Sequence, residues 1–472
     1  MSFMALPTTA PARPAAVSPD LRAWLQAELS RLVGQDRHGW LVLPAPTLSV
    51  EVLPELSDLG HGVVWDPPQG VSMSGVGVAW KIQLRGEDRF RRLRQAADPV
   101  LQATVVSTYG AAAPLEPRVL GGFSFDVGSA DDPLWRDFGD GCFTLPRFVY
   151  GVVDGRAGLA LVVHGQETAG DEAAWIDRTV ELLHRLEARA EEPADMPSPL
   201  QAVDGLDAEQ VSDPDWIRRI EDIRQAIAQG EVEKIVAARR CGVDLPSNLP
   251  SNLSATQVLA LLGHGLKAST RFAFSRPSGT FLGATPERLL AKEGRRIHTE
   301  ALAGSIERGH GDDLLDSGKD RLEQQLVVDS IVRRLEPLCD RLQVAARPTI
   351  RELRDVLHLH TPILGTLSAE CHILDLVETL HPTPAVGGVP TQAALDWIRE
   401  RETHARGWYA APIGWFDARG DGELAVALRS CVLTPSQAYL FVGAGIVADS
   451  DPAAELRETE LKKQALLSAL QG

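Results

Sequence analysis

Near the end of the chain, Glu455, Glu458 and Lys462 follow two glycines in Gly443-Ala-Gly-Ile-Val447. Asp451-Pro452 between them reads as a helix start, because the carboxylate caps free N–H groups and proline is tolerated at the first helical position. At about 100° per residue the three charged groups then fall within a wedge of roughly 60°. Leu466 and Leu470 border that wedge, and Leu456 and Leu467 continue the apolar stripe. Two carboxylates at the edge of a buried stripe, with glycine N–H groups nearby, point to a site that takes a cation and an anion together. The same residues also fit a solvated helix face carrying a Glu458–Lys462 pair worth about 0.3 kcal/mol.

Glu323 carries more information. Leu322, Leu326, Val327, Ser330 and Ile331 surround it on a predicted helix, so it falls within a broad apolar arc. Buried carboxylates are rare unless paired or metal-bound. Asp320, one turn earlier, points to nearly the same side, and a hard cation such as magnesium would account for both. Arg429 lies in Ala425-Val-Ala-Leu-Arg-Ser-Cys-Val-Leu433, apolar on both faces and therefore read as a central strand. A guanidinium there needs an anion, and a substrate carboxylate is an economical one. Lys234 opens the strand Lys-Ile-Val-Ala-Ala-Arg-Arg, on the face of Val236 and Ala238. If that face is buried, the lysine suits general-base work; otherwise it is a surface residue at a strand end. Glu287, where a strand ends and the chain turns, reads either as a general acid or as a carboxylate favoured by a helix start. His358-Leu-His360 lacks metal-ligand spacing and is assigned to the fold or a substrate wall. Gly75-Val-Gly77 does not complete a dinucleotide fingerprint, Gly318-Lys-Asp320 lacks the Ser/Thr of a phosphate loop, and there is no nucleophile elbow.

The elements that must position these groups are of mixed type. Residues 1–18 read as a disordered tail and Asp20 to Leu32 as a helix. Short apolar runs follow at Val50–Val52, Val76–Ile82, Leu120–Phe125, Phe148–Val153 and Leu159–Val163, with helices at Arg89–Gln102 and Asp171–Ala190. Residues 191–211, with three prolines, read as a linker or surface loop between an N-terminal half (19–190) and a C-terminal half (212–472) that holds the chemical signals. In the latter, a helix from Asp213 to Gly230 leads into a strand over Glu233–Cys241, and strands are expected at Arg271–Ser275, Thr280–Ala284, Arg296–Ala301 and Thr361–Leu367. Helices are expected over Leu314–Leu342, Ala369–Leu380 and Gln392–Glu402. Gly420-Asp-Gly422 makes a hairpin between Pro412–Phe416 and Glu423–Leu433. Grouped strands and helices with hairpins argue for an α+β fold.

The net charge of −17 argues against a nucleic-acid partner, though a local basic cluster or bound metal still accommodates a small anion. Five scattered cysteines without CxxC spacing indicate neither disulfides nor zinc. No run approaches the 18 apolar residues of a membrane span and no signal peptide is evident, so a cytoplasmic, reduced protein is expected.

Taken jointly, several segments resemble the chorismate-utilising enzymes, most of all the isochorismate synthases among them. They are Glu233-Lys-Ile-Val-Ala-Ala-Arg239, Gly283-Ala-Thr-Pro-Glu-Arg-Leu289, Thr299-Glu-Ala-Leu-Ala-Gly-Ser305, Lys319-Asp-Arg-Leu-Glu323, Val356-Leu-His-Leu-His-Thr361, Leu380-His-Pro-Thr-Pro-Ala-Val-Gly-Gly388 and Gly443 through Lys462. In the N-terminal half, Leu120-Gly-Gly-Phe-Ser-Phe-Asp126 carries a weaker likeness. The resemblance implies one large domain with two packed β-sheets and outer helices, and a Mg2+-dependent isomerase acting on chorismate. Lys234 would be the base activating water for attack at C2, and Glu287 the acid assisting loss of the C4 hydroxyl. Glu323, Glu455 and Glu458 would hold the metal, with Asp320 as an outer carboxylate. Tyr409, Arg429 and backbone N–H groups around Gly445 would hold the enolpyruvyl carboxylate, and Gly304, His358 and Lys462 would line the pocket. Ammonia-using relatives usually carry Gln in place of Lys234, so no glutaminase subunit is expected. Those relatives and the salicylate synthases usually carry Thr in place of Ala385. Lys with Ala favours water addition that stops at isochorismate over pyruvate elimination, the alternative reading. A non-catalytic chorismate-binding subunit is a third, opposed by the complete set of acid, base and carboxylates. Gln324, where His is common, and Leu456, where an aromatic is common, are departures outside the chemistry. A monomer or weak dimer is expected, with the product serving menaquinone or siderophore biosynthesis.

Overall fold

The computed structural model describes residues 19–167, 170–192, 208–209, 213–245, 255–308, 311–353 and 356–471. The expected tail at 1–18 and most of the expected linker lie outside them; Glu191 ends a helix, and 208–209 form a two-residue strand against Gly242 and Val243.

Two large, mostly antiparallel sheets dominate, 13 and 10 strands among the described residues, making an α+β architecture. Both sheets are shared between the halves of the chain. In the larger one, Val63–Asp66 pairs with Thr270–Arg276, in register from Asp66↔Arg271 to Val63↔Phe274. In the smaller, Arg118–Phe123 pairs with Pro412–Asp417. The core between the sheets is rich in aromatic residues: Trp135, Phe281, Trp408 and Phe441 are buried among one another with ring centroids 5.3 to 6.3 Å apart. Aromatic contacts add about 0.5–1.5 kcal/mol each beyond burial. Gly407, at φ +56°, lets the backbone pass against Trp135, where a Cβ would lie 1.9 Å from the ring. A second apolar layer on the other side of the larger sheet takes the helices Pro19–Leu32, Glu172–Glu191, Ala255–Gly265 and Pro452–Gln471.

Several sequence expectations need correction. Val50–Val52 is not a strand: Val52 opens a short helix, Val52–Leu56. The Val76–Ile82 run is two strands, Ser72–Val76 and Trp80–Leu84, separated at Gly77 with φ +66°. The long helix expected over Leu314–Leu342 is two helices, Gly311–Asp316 and Gly318–Leu335, followed by an edge strand, Cys339–Val344. Ser317 breaks it by capping the second helix, its Oγ accepting from the Asp320 N–H at 3.2 Å. The hairpin arm Glu423–Leu433 is also two strands. Gly422–Val426 belongs to the smaller sheet and Ser430–Leu433 to the larger, so Arg429 sits at the crossing with φ +48° and not within a central strand.

Candidate active site

The chain's crossing from one sheet to the other places Arg429 on the wall of a cleft. It encloses about 770 Å³, mouth included, and is lined by Glu287, Gly304, Glu323, His358, Ala385, Tyr409, Arg429, Gly445, Glu458 and Lys462 among others. Lys234 and Glu455 do not reach the lining; each stands behind a lining carboxylate. Ten of the residues singled out in the sequence thus line one cavity, and Lys234 and Glu455 pair or interact with residues beside it.

The strand Lys234–Asp244 runs beside Gln437–Ile446, with Val236 opposite Gly445. Lys234 is fully buried, and its Nζ lies 2.9 Å from Glu323 Oε1, an ion pair outside hydrogen-bond geometry. Glu323 projects from the Gly318–Leu335 helix at the edge of its buried face. Leu322, expected within that apolar arc, is exposed, and Gln324, Val327 and Ile331 take the buried positions. Burial alone would push the Glu323 carboxyl up, but Lys234, Lys462 and Lys319 more than offset it and hold it below its ordinary value.

Gly445 is a matter of space. A Cβ there would come 2.4 Å from Glu323 Oε1 and 3.0 Å from Lys234 Cε, so only glycine lets both side chains meet beside the strand. Gly304, at φ +69°, makes the bulge in Arg296–Glu307 opposite Val356–Leu367, and a Cβ would lie 2.9 Å from Asp320 Cβ.

The Pro452–Gln471 helix begins as the sequence predicts, with Asp451 Oδ1 accepting from the Ala454 N–H at 2.8 Å. Lys462 Nζ bridges Glu458 Oε1 at 2.6 Å and the Gly443 carbonyl at 3.1 Å. Glu455 is buried and paired with Lys319 Nζ at 2.8 Å. The Glu455 carboxyl is pushed up by burial and then by Glu458, against the pull of Lys319.

Glu323, Glu455 and Glu458 are the hard oxygen donors that a small divalent cation takes, with Asp320 beside them. Each of the three is paired here with a lysine, and no three acidic, His or Cys groups among the described residues converge as ligands of one ion. What suits a cation is the chemistry of the set: Glu455 is buried, and Glu458 stands close enough that its charge, after burial, adds to the upward push on the Glu455 carboxyl, which a cation between them would relieve.

Glu287 follows the strand Gly279–Thr285 and precedes Arg288–Glu293; no helix starts there. Its carboxyl is raised to about 8, first by burial and then by the Glu300 carboxylate, against Lys234, Arg351 and Lys462. It is therefore protonated at neutral pH. His358 is neutral: burial and then Arg429 hold it well below its ordinary value. Arg429 Nη2 donates to His358 Nε2 at 3.0 Å, which puts the ring proton on Nδ1, facing the Gly304 carbonyl at 3.1 Å. Tyr409 stacks on Phe441 with centroids 5.4 Å apart.

Sequence reasoning passed over Arg406 and gave Lys319 no role. Arg406 lines the cleft, and its guanidinium ties two walls together by donating to the Val386 and Val236 carbonyls, both at 2.7 Å. Nothing local in the sequence marks it. Lys319 is legible as the residue one helical turn before Glu323, within a quoted motif.

Residues 49–471 match the family model described as chorismate binding enzyme. The chain is 36% identical over 465 residues to the salicylate biosynthesis isochorismate synthase of Pseudomonas aeruginosa, covering 94% of each chain. It is 37% identical over 366 residues to the isochorismate synthase MenF of Bacillus subtilis, covering 75% of each. The solved structure of the menaquinone-specific isochorismate synthase MenF from Escherichia coli superposes with a TM-score of 0.75 at 25% identity, over 96% of this chain and 100% of that one. The chain belongs to the chorismate binding enzymes.

Proposed function

We propose that the chain is an isochorismate synthase, an isomerase that converts chorismate to isochorismate by adding water at C2 with loss of the C4 hydroxyl. The observation that carries the reading is Glu287: a buried carboxyl raised to about 8 is a proton donor at neutral pH, in a cleft whose other wall holds Glu323 and, behind it, Lys234. In this reading Lys234, beside Glu323, takes a proton from the water whose oxygen bonds to C2. The ring double bonds shift and the C4–O bond breaks, while Glu287 gives its proton to the departing hydroxyl, which leaves as water. One water enters and one leaves, so the product is an isomer. The cycle closes when the proton gained by Lys234 replaces the one lost by Glu287.

The substrate is a dianion, and Arg429 and Lys462 supply positive charge on the cleft wall. Arg429, Tyr409 and the backbone at Gly445 are assigned to the enolpyruvyl carboxylate. Neutral His358, Gly304 and Ala385 shape the wall beside the ring. Glu323, Glu455 and Glu458, with Asp320 outside them, would hold Mg2+, which when bound neutralises the ring carboxylate. Ala385 leaves the wall without the hydroxyl that pyruvate-eliminating relatives usually carry there.

The test is incubation of the protein with chorismate and Mg2+, following isochorismate by chromatography and pyruvate in parallel. Isochorismate without stoichiometric pyruvate is expected. Folded protein that yields no isochorismate refutes the assignment, and pyruvate in equal yield moves it to a salicylate synthase.

A further inference from the structure

We propose that Glu300, clamped by Arg351 and His360, is a positioning residue that fixes Glu287 in the cleft and sets the pH range over which it acts. This rests on the reading of Glu287 as the general acid. Glu300 projects from the strand Arg296–Glu307, is 4% exposed, and does not line the cleft; nor does Arg351. Arg351 meets it with both ends of its fork, Nη1 to Oε1 at 2.7 Å and Nη2 to Oε2 at 2.8 Å. His360 Nε2 stands 2.9 Å from Oε2. A bidentate pair of this kind, with its carboxylate buried and its guanidinium partly so, is geometrically stiff.

The pair holds the backbone on both sides of the acid. Arg351 Nη1 also donates to the Pro286 carbonyl at 2.9 Å, and Glu300 Oε1 accepts from the Arg288 N–H at 3.1 Å. At residue 287 itself, the carbonyl accepts from the Val426 N–H at 3.0 Å. The peptide carrying Glu287 is thus tied at three successive residues, two of them to one ion pair. A site built this way resists the displacement of about 1 Å that costs on the order of 100-fold in rate.

Charge acts alongside position. The charged and titratable groups that bear on Glu287 are Glu300, Arg351, Lys234 and Lys462, with Tyr409 also facing it. Glu300 favours the protonated acid and Arg351 opposes it. Glu300 stays ionised, held down to about 2: burial works against this, and His360 and Arg351 overcome it. Removing Glu300 alone therefore leaves Arg351 uncompensated beside Glu287.

The experiment is a set of pH profiles of kcat and kcat/KM for wild type, Glu300→Gln, Arg351→Lys and Glu287→Gln, with melting temperatures as the check on folding. For Glu300→Gln we expect kcat to fall about tenfold or more, with KM for chorismate within about threefold and the alkaline limb displaced downward by about one pH unit or more. Arg351→Lys keeps the charge and loses the fork, so kcat falls while the limb stays near its wild-type position. A folded Glu300→Gln protein with unchanged kcat and limb overturns the proposal. A fall in kcat with an unmoved limb overturns the charge role. Should Glu300→Gln not fold, unchanged kcat in Arg351→Lys overturns it. Turnover persisting in Glu287→Gln overturns the reading of the acid itself and this proposal with it. An inactive Glu287→Gln beside an unaffected Glu300→Gln removes only Glu300.

Discussion

Gly445→Ala places one methyl group where Glu323 and Lys234 meet. The added Cβ would lie 2.4 Å from Glu323 Oε1, so the carboxylate must retreat by about 1 Å to reach ordinary van der Waals contact. It cannot do so without disturbing the 2.9 Å pair with Lys234, whose Cε would itself be 3.0 Å from the methyl. Overpacking of this kind costs about 1–3 kcal/mol of stability. The larger effect falls on turnover: a displacement of about 1 Å at the base corresponds to about a 100-fold loss of kcat, or about 2.7 kcal/mol of barrier. The assay is steady-state isochorismate formation at saturating chorismate and Mg2+, with a thermal melt to show that the variant is folded. A folded variant retaining more than a third of wild-type kcat would refute the placement of glycine as the space-maker for the Lys234–Glu323 pair.

Lys234→Met should lower kcat by about 10²–10⁴-fold while chorismate still binds, measured by turnover and by fluorescence or calorimetric titration; unchanged turnover removes it from the base role. Glu287 is protonated below about 8 and ionises above it, so kcat/KM should decline as pH rises through about 8, and Glu287→Gln should lose that limb along with the activity. Gly407→Ala needs a methyl within 1.9 Å of the Trp135 ring at φ +56°, so it should destabilise by about 4 kcal/mol or more in chemical denaturation; a loss below about 1 kcal/mol would show that the aromatic core yields. At acid pH, Glu300 contributes in the opposite sense to Glu287. Its folded value of about 2 lies below its ordinary 4.5, so the stability it gives is present above 4.5 and lost as pH falls towards 2. The difference amounts to about 3 kcal/mol, and Glu300→Gln should flatten the acid limb of the stability profile by that order.

How far the sequence carried depended on whether a residue's role was local. The helix after Asp451 was legible because capping and proline are nearest-neighbour chemistry, and the stripe of Leu466 and Leu470 has helical spacing. Glu323 was legible as an acidic residue where a leucine would be ordinary, although Leu322, counted with its apolar surroundings, proved exposed. Arg429 was misread because apolar residues on both faces look the same in a central strand and in a segment that leaves one sheet for another; only φ +48° and the pairing of each side separate the two. The break at Ser317 was missed because the amphipathic period runs on through the cap. Glu300, Arg351 and His360 lie on three stretches whose hydrogen bonding is non-local, and nothing in their spacing announces a clamp. The quoted motif Thr299-Glu-Ala-Leu-Ala-Gly-Ser305 contained Glu300 without giving it a task.

The sharing of both sheets between the two halves has a consequence for how the chain must be made. Arg271 meets Asp66 across 205 residues of sequence, with its Nε donating to Asp66 Oδ2 at 2.9 Å, so an early strand waits for a partner that leaves the ribosome much later. Until then Val63–Asp66 and Arg118–Phe123 each present an open row of backbone donors and acceptors, of the kind that pairs readily with another chain. Non-local strand pairing is also slow, which lengthens that exposure. Yield in the cell should therefore depend on translation speed and on chaperones that shield strand edges, and a chain stopped before residue 270 should aggregate more than the 472-residue chain does.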